Sequence, residues 1–478
     1  MKLTIPPKAL PVVLFLLAAA MAGHVYLHFA PGAMSPDSLS ILSQARSGVF
    51  EDGHPPLVTA MWRLLDRLVA GPTGMLLLHL SMFYGGLFLI FRATLQRYGL
   101  LGVLACVCIG VFPPLLGILG VIWIDITMAG LYLLALGCWL SLVDSHRRAA
   151  LLVLPIMALA IATRHNAAAA AFPLLTLFML RPPVGGKGWG SSIARAAAWA
   201  AIATVVLFVG TKWLSARFVD QPRHLWRAAA LYDIAGASHY EDRNLFHTGV
   251  LIDSSLDEIH RLYSPRSYFP LMTGDQIHVP PGAAPVKGKP LELDTSNPNL
   301  SEVLGRNWLE VILQHPQSYL RHRIEFFTSM VKREPWGLWA PYFDMIYPNQ
   351  LGITERRVAR STEIFWHIRW LSISSRLFEP LPYLVISALL FLPVFGLGLM
   401  LRDRLLQTSG ALYASGVLHM GGLFFFAVTP DFRYSHWLLT ATAVASGLLA
   451  LFLSTYIATA AAKARNALRD KRVQAVRR

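Results

Sequence analysis

Ten apolar stretches of roughly helix length recur along the chain, separated by short polar segments except for one long interruption. They run from Leu10 to Phe29, Met75 to Phe91, Leu100 to Leu119, Val121 to Val143, Ala149 to Thr163, Ala167 to Leu180, Ile193 to Leu214, Leu381 to Leu401, Ser409 to Val428 and Trp437 to Ala461. Crossing about 30 Å of hydrocarbon takes roughly 20 apolar helical residues, and the backbone there must satisfy its own hydrogen bonds. The pattern therefore predicts an all-α polytopic membrane protein with about ten transmembrane helices. The runs on either side of Arg164-His165-Asn166 fall short of that length, which places this triplet slightly below the surface in a hydrated groove.

Two regions depart from the apolar pattern. In the loop 30–73, the stretch Pro56 to Val69 carries Leu57, Met61, Leu64, Leu65 and Leu68 at helical spacing among Arg63, Asp66 and Arg67, which predicts an amphipathic helix lying in the membrane interface. The long interruption, 215–380, is sufficient for a small domain. It holds a Pro- and Gly-rich stretch from Phe269 to Pro298. Helical signals follow from Ser301 to Lys332, with Leu304, Trp308 and Ile312 on one face and Pro316 placed to restart a helix. Its aromatics suit either lipid headgroups, a glycan or simply a small core. The predicted organisation is a transmembrane module 1–214 with its chemistry in the first outer loop, a mixed extracytoplasmic domain 215–380, terminal transmembrane helices over 381–461 and a basic tail 462–478.

Composition agrees: 55% of residues are hydrophobic and 14% charged, outside the range of a soluble chain of this length. Lys and Arg collect on alternate loops. With a cytoplasmic N-terminus, the inside segments hold Lys2, Lys8, Arg92, Arg97, Arg147, Arg148, Arg181, Lys187, Arg195, Arg402, Arg404 and the tail from Lys463, so both termini are predicted to be cytoplasmic. The net charge of +15 then reflects topology and attraction to lipid headgroups, and no aromatic-basic module points to nucleic acid. The first span follows Lys2 and Lys8 and contains Ala20-Met21-Ala22, features shared with signal peptides, but its apolar run continues to Phe29 and reads as an uncleaved helix. Cys106, Cys108 and Cys138 fall inside spans, as packed thiols would.

The polar clusters share one predicted face. Asp37, opening a helical segment after Pro36, is either a helix N-cap or a reactive carboxylate. Glu51 and Asp52 precede Gly53-His54-Pro55-Pro56, a stiff turn. Asp125 lies just inside the outer end of a span, where a carboxylate faces a polar cavity at lower cost than lipid. Arg164, His165 and Asn166 are either a polar cluster in that groove or an ordinary loop between two short helices, and Asp431-Phe432-Arg433-Tyr434 after Pro430 adds in Arg433 planar donors suited to phosphate, with a snorkelling arginine as the plain alternative. No Walker motif and no strand-flanked GxGxxG occurs, so a lipid-borne phosphate donor fits better than a nucleotide.

An acidic residue soon after the first span, the stretch Asp52-Gly53-His54-Pro55-Pro56-Leu57 and many spans with a large outer domain resemble the GT-C superfamily of integral-membrane glycosyltransferases. Trp123-Ile124-Asp125, Ala162-Thr163-Arg164-His165-Asn166, Leu231-Tyr232-Asp233-Ile234-Ala235-Gly236, His315-Pro316-Gln317-Ser318-Tyr319-Leu320 and Phe432-Arg433-Tyr434 are similar to stretches of bacterial members. The resemblance implies a GT-C-like fold in a bacterial inner membrane and transfer of a sugar from a polyprenyl phosphate carrier to a glycan, lipid or protein acceptor outside the cytoplasm. Relatives with paired acids after the first span differ from this chain, where Ser38 follows Asp37, which leaves Asp37, Glu51 and Asp52 as alternatives for the base. The preferred assignment makes Asp37 the base. Arg164, His165 and Arg433 hold the phosphate. Asp125, Asn166, His54 and Tyr434 line the site, while Glu51 and Asp52 orient the sugar or bind a divalent cation such as Mg, Mn or Ca. The rival readings are a flippase or other transporter of lipid-linked glycan, and an envelope assembly protein without catalysis.

Overall fold

The computed structural model describes residues 6–142, 145–164, 166–183, 188–253, 255–275, 287–332, 340–355 and 362–476, with side chains of the last helix described to residue 459. His165, residues 276–286 of the Pro- and Gly-rich stretch, Lys187 and the side chains of the basic tail therefore lie outside the described residues.

In chain order the helices are α1 Leu10–Phe29, α2 Pro36–Ser47, α3 Pro56–Leu68, α4 Thr73–Arg92, α5 Leu95–Tyr98, α6 Leu100–Gly110, α7 Pro113–Leu119, α8 Ile124–Ser141, α9 His146–Thr163, α10 Ala167–Met179 and α11 Trp189–Ala216. The second half holds α12 Trp226–Glu241, α13 Leu256–Leu262, α14 Phe269–Thr273, α15 Leu300–Gln314, α16 Pro316–Val331, α17 Thr362–Ser374, α18 Pro380–Met400, α19 Arg404–Phe426 and α20 His436–Val476.

Every one of the ten apolar stretches is helical. Seven are long and apolar enough to cross a membrane: α1, α4, α8, α11, α18, α19 and the stretch Phe432–Thr459 that opens α20. The pair α6 and α7 is apolar enough to make an eighth only if taken as one span, and it is bent by 53° at Val111-Phe112, where Pro113 and Pro114 cannot donate to the preceding turn. The short α9 and α10 fill the bundle on either side of Arg164. The chain is an all-helical polytopic membrane protein.

Close approach of helices depends on small residues, as it does where lipid offers no hydrophobic drive between them. At Gly86 of α4 an added Cβ would stand 2.7 Å from the Leu133 backbone of α8, and at Gly137 of α8 it would stand 2.6 Å from Leu89 Cβ of α4.

Helix α3 forms where its spacing predicts. Val58, Thr59 and Trp62 are buried while Leu64 and Leu68 stay exposed, as on a helix with one flank against protein and the other against lipid.

The region 215–380 departs from the mixed secondary structure predicted for it. Among the described residues it contains helices and irregular chain but no strand, and the ladder-like contacts within it are the isolated bridges Thr248 with Leu251, Leu251 with Leu293 and Asp275 with Lys287. Pro270, Pro290 and Pro298 carry no N–H for a ladder, and Gly249 and Gly274 turn the chain through positive φ. Its centre is α12, buried from Ala229 to Ser238 against α13, α15 and α16. Pro316 occupies the first turn of α16, and Leu304 is buried as the helical pattern requires.

A buried polar network fixes this layer. Asp233 accepts from Arg323 Nη2 at 2.7 Å and from Trp308 Nε1 at 2.8 Å, and its other oxygen lies 3.2 Å from His322 Nε2. Tyr263 Oη completes the His322 ring at 2.9 Å. A Cβ on Gly236 would fall 2.3 Å from His322 Nδ1, so Gly236→Ala is expected to push that ring off Asp233 and cost about 1–3 kcal/mol of stability. Gly190→Ala, with nothing within 4 Å, supplies the control in the same thermal melts. Burial, opposed by the Asp233 hydrogen bond, keeps His322 below its ordinary 6.5. The unfolded chain binds that proton more readily, so stability is expected to fall as pH drops below about 6.5. Replacement of His322 by Gln should flatten that part of the pH–stability curve.

Candidate active site

The site grows from the segment that follows α1. Ala33 N donates to Gly120 O at 3.1 Å and Ile122 N to Ala33 O at 2.9 Å, which clamps this segment to the one leading into α8. Ser38 Oγ donates to Ile122 O at 2.8 Å and Trp123 Nε1 to Ser35 Oγ at 2.8 Å. The carboxylates of α2 and α8 are thereby held on one surface.

Asp37 is not the N-cap of α2. Ser35 holds that position and Pro36 the first turn, so the Asp37 side chain makes no capping bond. It points instead to Arg433, whose Nη2 lies 2.6 Å from Oδ2. Arg433 has a second carboxylate: its Nε is 2.9 Å from Asp431 Oδ2, while Asp431 Oδ1 accepts from Arg433 N at 3.2 Å and caps the short turn Phe432–Ser435. Asp37 is 46% exposed and Asp431 only 18%, so Asp37 is the partner that solvent or a ligand can reach.

Asp125, in the first turn of α8 and buried, pairs with Arg164. The Arg164 guanidinium stacks 4.3 Å from the Tyr434 ring, which also lies 5.4 Å from the Arg433 guanidinium, and Arg433 sits 5.1 Å over Trp123. Behind them, His419 Nε2 donates to Tyr434 O at 2.9 Å and leaves Nδ1 to accept from Asn166 Nδ2 at 3.4 Å. Two guanidiniums are thus fixed side by side on aromatic faces.

Charges set the protonation of the two groups in the first loop. Burial raises the Asp37 carboxyl, but Arg433, His54 and Arg164 together outweigh it and hold it below its ordinary 3.8. Burial, helped by Arg433 and opposed by Asp37 and Glu51, keeps His54 below 6.5 and so neutral at physiological pH. Asp37 is ionised there.

Glu51 and Asp52 lie at the rim. Glu51 takes Gln44 Nε2 at 3.4 Å and Arg223 Nη2 at 2.6 Å, and Asp52 accepts from the backbone N–H groups of Arg223 and His224. Among the described residues no group of three or more His, Cys, Asp or Glu side chains is placed to hold a metal ion. With their oxygens committed to Arg223 and this backbone turn, Glu51 and Asp52 do not fit the divalent cation expected for them.

The structure therefore gathers Asp37, His54, Asp125, Arg164, Arg433 and Tyr434, with Asn166 one layer behind and Glu51 and Asp52 beside His54. Sequence reasoning missed Trp123 and Tyr268 as lining groups, Arg223 as the partner of Glu51, and the bond between Asp431 and Arg433. Burial, with Tyr434 and the Asp37 carboxylate nearby, pushes the Tyr268 hydroxyl up, and its N–H bonds Val428 O at 3.2 Å. Trp123, adjoining Ile124-Asp125, was the one with a readable signal. No family model matches the chain, and no curated protein or solved structure matches it.

Proposed function

We propose that this chain is a GT-C-type glycosyltransferase that moves a sugar from a polyprenyl phosphate to an acceptor hydroxyl at the extracytoplasmic face of a bacterial inner membrane. The observation that carries the reading is the Asp37–Arg433–Asp431 arrangement beside Arg164: an ionised, accessible carboxylate next to two immobilised guanidiniums on one membrane face. The acceptor oxygen attacks the anomeric carbon while its proton passes to Asp37. The bond from that carbon to the phosphate oxygen breaks, and the polyprenyl phosphate departs with its new negative charge facing Arg433 and Arg164. His54, neutral, donates or accepts a hydrogen bond without adding charge.

In the free protein Arg433 is shared between two carboxylates. A phosphate entering the site exchanges with the exposed Asp37, whereas Asp431 keeps its hold, so donor binding releases the base that the second substrate needs. A pH signature follows. With Asp37 below 3.8 in the free protein, the acid limb of kcat/KM is expected below about pH 4. The limb of kcat, which reports the complex in which Arg433 has turned to phosphate, is expected at higher pH. Coincident limbs would contradict the exchange.

Arg433→Lys keeps the charge but loses the fork that spans two partners, and is expected to lower turnover by about 10²- to 10³-fold. The measurement is release of polyprenyl phosphate from a lipid-linked sugar by purified protein in vesicles. A Lys variant as active as the parent would remove Arg433 from the leaving-group site. Transport of the intact lipid-linked sugar without its cleavage would instead establish the flippase reading.

A further inference from the structure

Helix α17 is clamped on one side and bare on another. Phe365, Ile368 and Ser372 are buried on the side that packs against α7 and α1. Phe365 stacks on the His28 ring at 3.8 Å and 6°, and its centroid lies 5.1 Å from Phe29 and 5.7 Å from His24. His24 precedes the end of α1 by about 7.5 Å at 1.5 Å per residue. Helix α17 therefore lies across the outermost turn and a half of α1, a span that packs on α4 and α6 and leaves Val12, Phe15 and Leu16 exposed, at the end that leads to Asp37. That is the depth of the headgroup layer, into which in-plane helices sink about 5–10 Å.

The rest of its surface is sorted. Trp366, Trp370 and Ile373, at i, i+4 and i+7, form one stripe and are 61, 64 and 62% exposed. By helical rotation Glu363, His367 and Ser374 fall on the next sector, a polar one. Between the Trp stripe and the buried side stands Arg369, its guanidinium 5.5 Å over Trp366. Large exposed indoles rimmed by a cation are the composition of a membrane interface. Next in the chain comes a candidate span: α18 begins at Pro380 and exposes Val385, Leu389 and Leu392.

The segment before α17 is tied to the site. Met34 N donates to Met345 O and Tyr347 N to Met34 O, both at 3.0 Å, three residues before Asp37. Phe343 N donates to Gly117 O at 3.1 Å, and the Phe343 ring lies 5.3 Å from Trp123, the indole under Arg433.

We propose that α17 is an in-plane membrane anchor, with Trp366, Trp370 and Ile373 in the acyl boundary and Arg369 among lipid phosphates, and that it holds the Asp37–Arg433 site level with the phosphate plane of the bilayer. The anchor rests only on the membrane reading of the chain; its purpose, presenting the site to a lipid-borne phosphate, rests on the proposed glycosyl transfer.

The test uses the full chain with its three cysteines replaced by serine, in vesicles of phosphatidylethanolamine and phosphatidylglycerol. Single cysteines at 366, 370, 373, 367 and 374 carry a nitroxide whose relaxation by oxygen and by a nickel chelate reports depth. Labels at 366, 370 and 373 are expected to favour oxygen over the chelate several-fold, with the order reversed at 367 and 374. Equal access of the chelate to all five would place the stripe in water and overturn the proposal. Protection of the stripe from both reagents would overturn it in favour of a protein cover, such as a second copy. Should labelled variants fail to fold, quenching of the parent by brominated phosphatidylcholine replaces them: the part of the quenching lost in the double variant Trp366→Phe, Trp370→Phe is the stripe's contact, and no loss would overturn the anchor. If neither parent nor variant binds an isoprenyl phosphate, the glycosyl-transfer reading fails while the depth pattern still decides the anchor.

Discussion

Asp37→Asn is expected to cut turnover by about 10²- to 10⁴-fold and at the same time to tighten the hold on an isoprenyl phosphate several-fold. The two effects have one origin. Asp37 is the proposed base, so the amide cannot take the acceptor's proton. It is also the carboxylate that occupies Arg433 in the free protein, at 2.6 Å, so its neutralisation removes the competitor that an incoming phosphate must displace. Glu51 and Asp52 make the control, since their oxygens face Arg223 and not Arg433. Their amide variants are expected to loosen the rim and leave phosphate affinity within about threefold, the scale of an exposed ion pair. Equilibrium binding of a short isoprenyl phosphate, together with single-turnover sugar release, separates the two halves. Weaker phosphate binding in Asp37→Asn would mean that the carboxylate assists the donor and does not compete with it.

The largest loss of stability is expected from Asp233→Ala. Asp233, His322 and Arg323 are fully buried, and Asp233 is the acceptor for Arg323 Nη2, for Trp308 and for His322. Its removal strands a guanidinium away from water, and breaking a buried pair in this way costs about 3–5 kcal/mol. The consequence reaches the site, because Arg323 Nη1 also donates to Ala427 O at 2.7 Å and Tyr268 N to the next carbonyl, Val428 O. Those two bonds hold the start of the segment that delivers Asp431 and Arg433. Thermal unfolding followed by limited proteolysis of residues 215–380 is expected to show this layer opening well before the spans. Arg323→Met with Asp233→Leu, which empties the cluster of charge, should recover much of the loss. A double variant as unstable as Asp233→Ala alone would show that packing, and not the unpaired charge, dominates.

How much of this was legible in the chain follows from what fixes each part. Apolar runs fix where helices end, and the residues at those ends therefore share a face. That is why Asp37, Asp125, Arg164 and Arg433, from four distant segments, were readable as one cluster. Whether a run is one straight helix is a weaker signal: α6 and α7 read as a single stretch, and only Pro113 and Pro114 mark the break. The N-cap alternative for Asp37 turned on two residues of register. With Ser35 at the cap and Pro36 first in the helix, Asp37 is the second residue of α2, where its carboxylate meets Arg433.

Pairings set by turn geometry left no mark on the pattern. His224 adopts a left-handed conformation at φ 52, and that turn aims two backbone N–H groups at Asp52. Nothing in the residue types announces it, so the sequence left Glu51 and Asp52 open between orienting a sugar and binding a cation, with no sign of their contacts to Arg223 and His224. Tyr268 reaches the site only because the 215–380 layer folds back onto Val428, a tertiary contact beyond any local periodicity. The same layer was expected to be mixed, and its turn-rich stretch forms single bridges in place of a ladder.

The most direct test works whatever the sugar and the acceptor are. Envelope lipids and glycans are compared by mass spectrometry from cells that lack the protein and from cells complemented with the wild type or with Asp37→Asn. Glycosyl transfer with Asp37 as base predicts one defined sugar mass that is missing without the protein, returns with the wild type and stays missing with Asp37→Asn. Full restoration by both forms would contradict the role of Asp37, and unchanged glycan masses in all three would contradict the transfer itself.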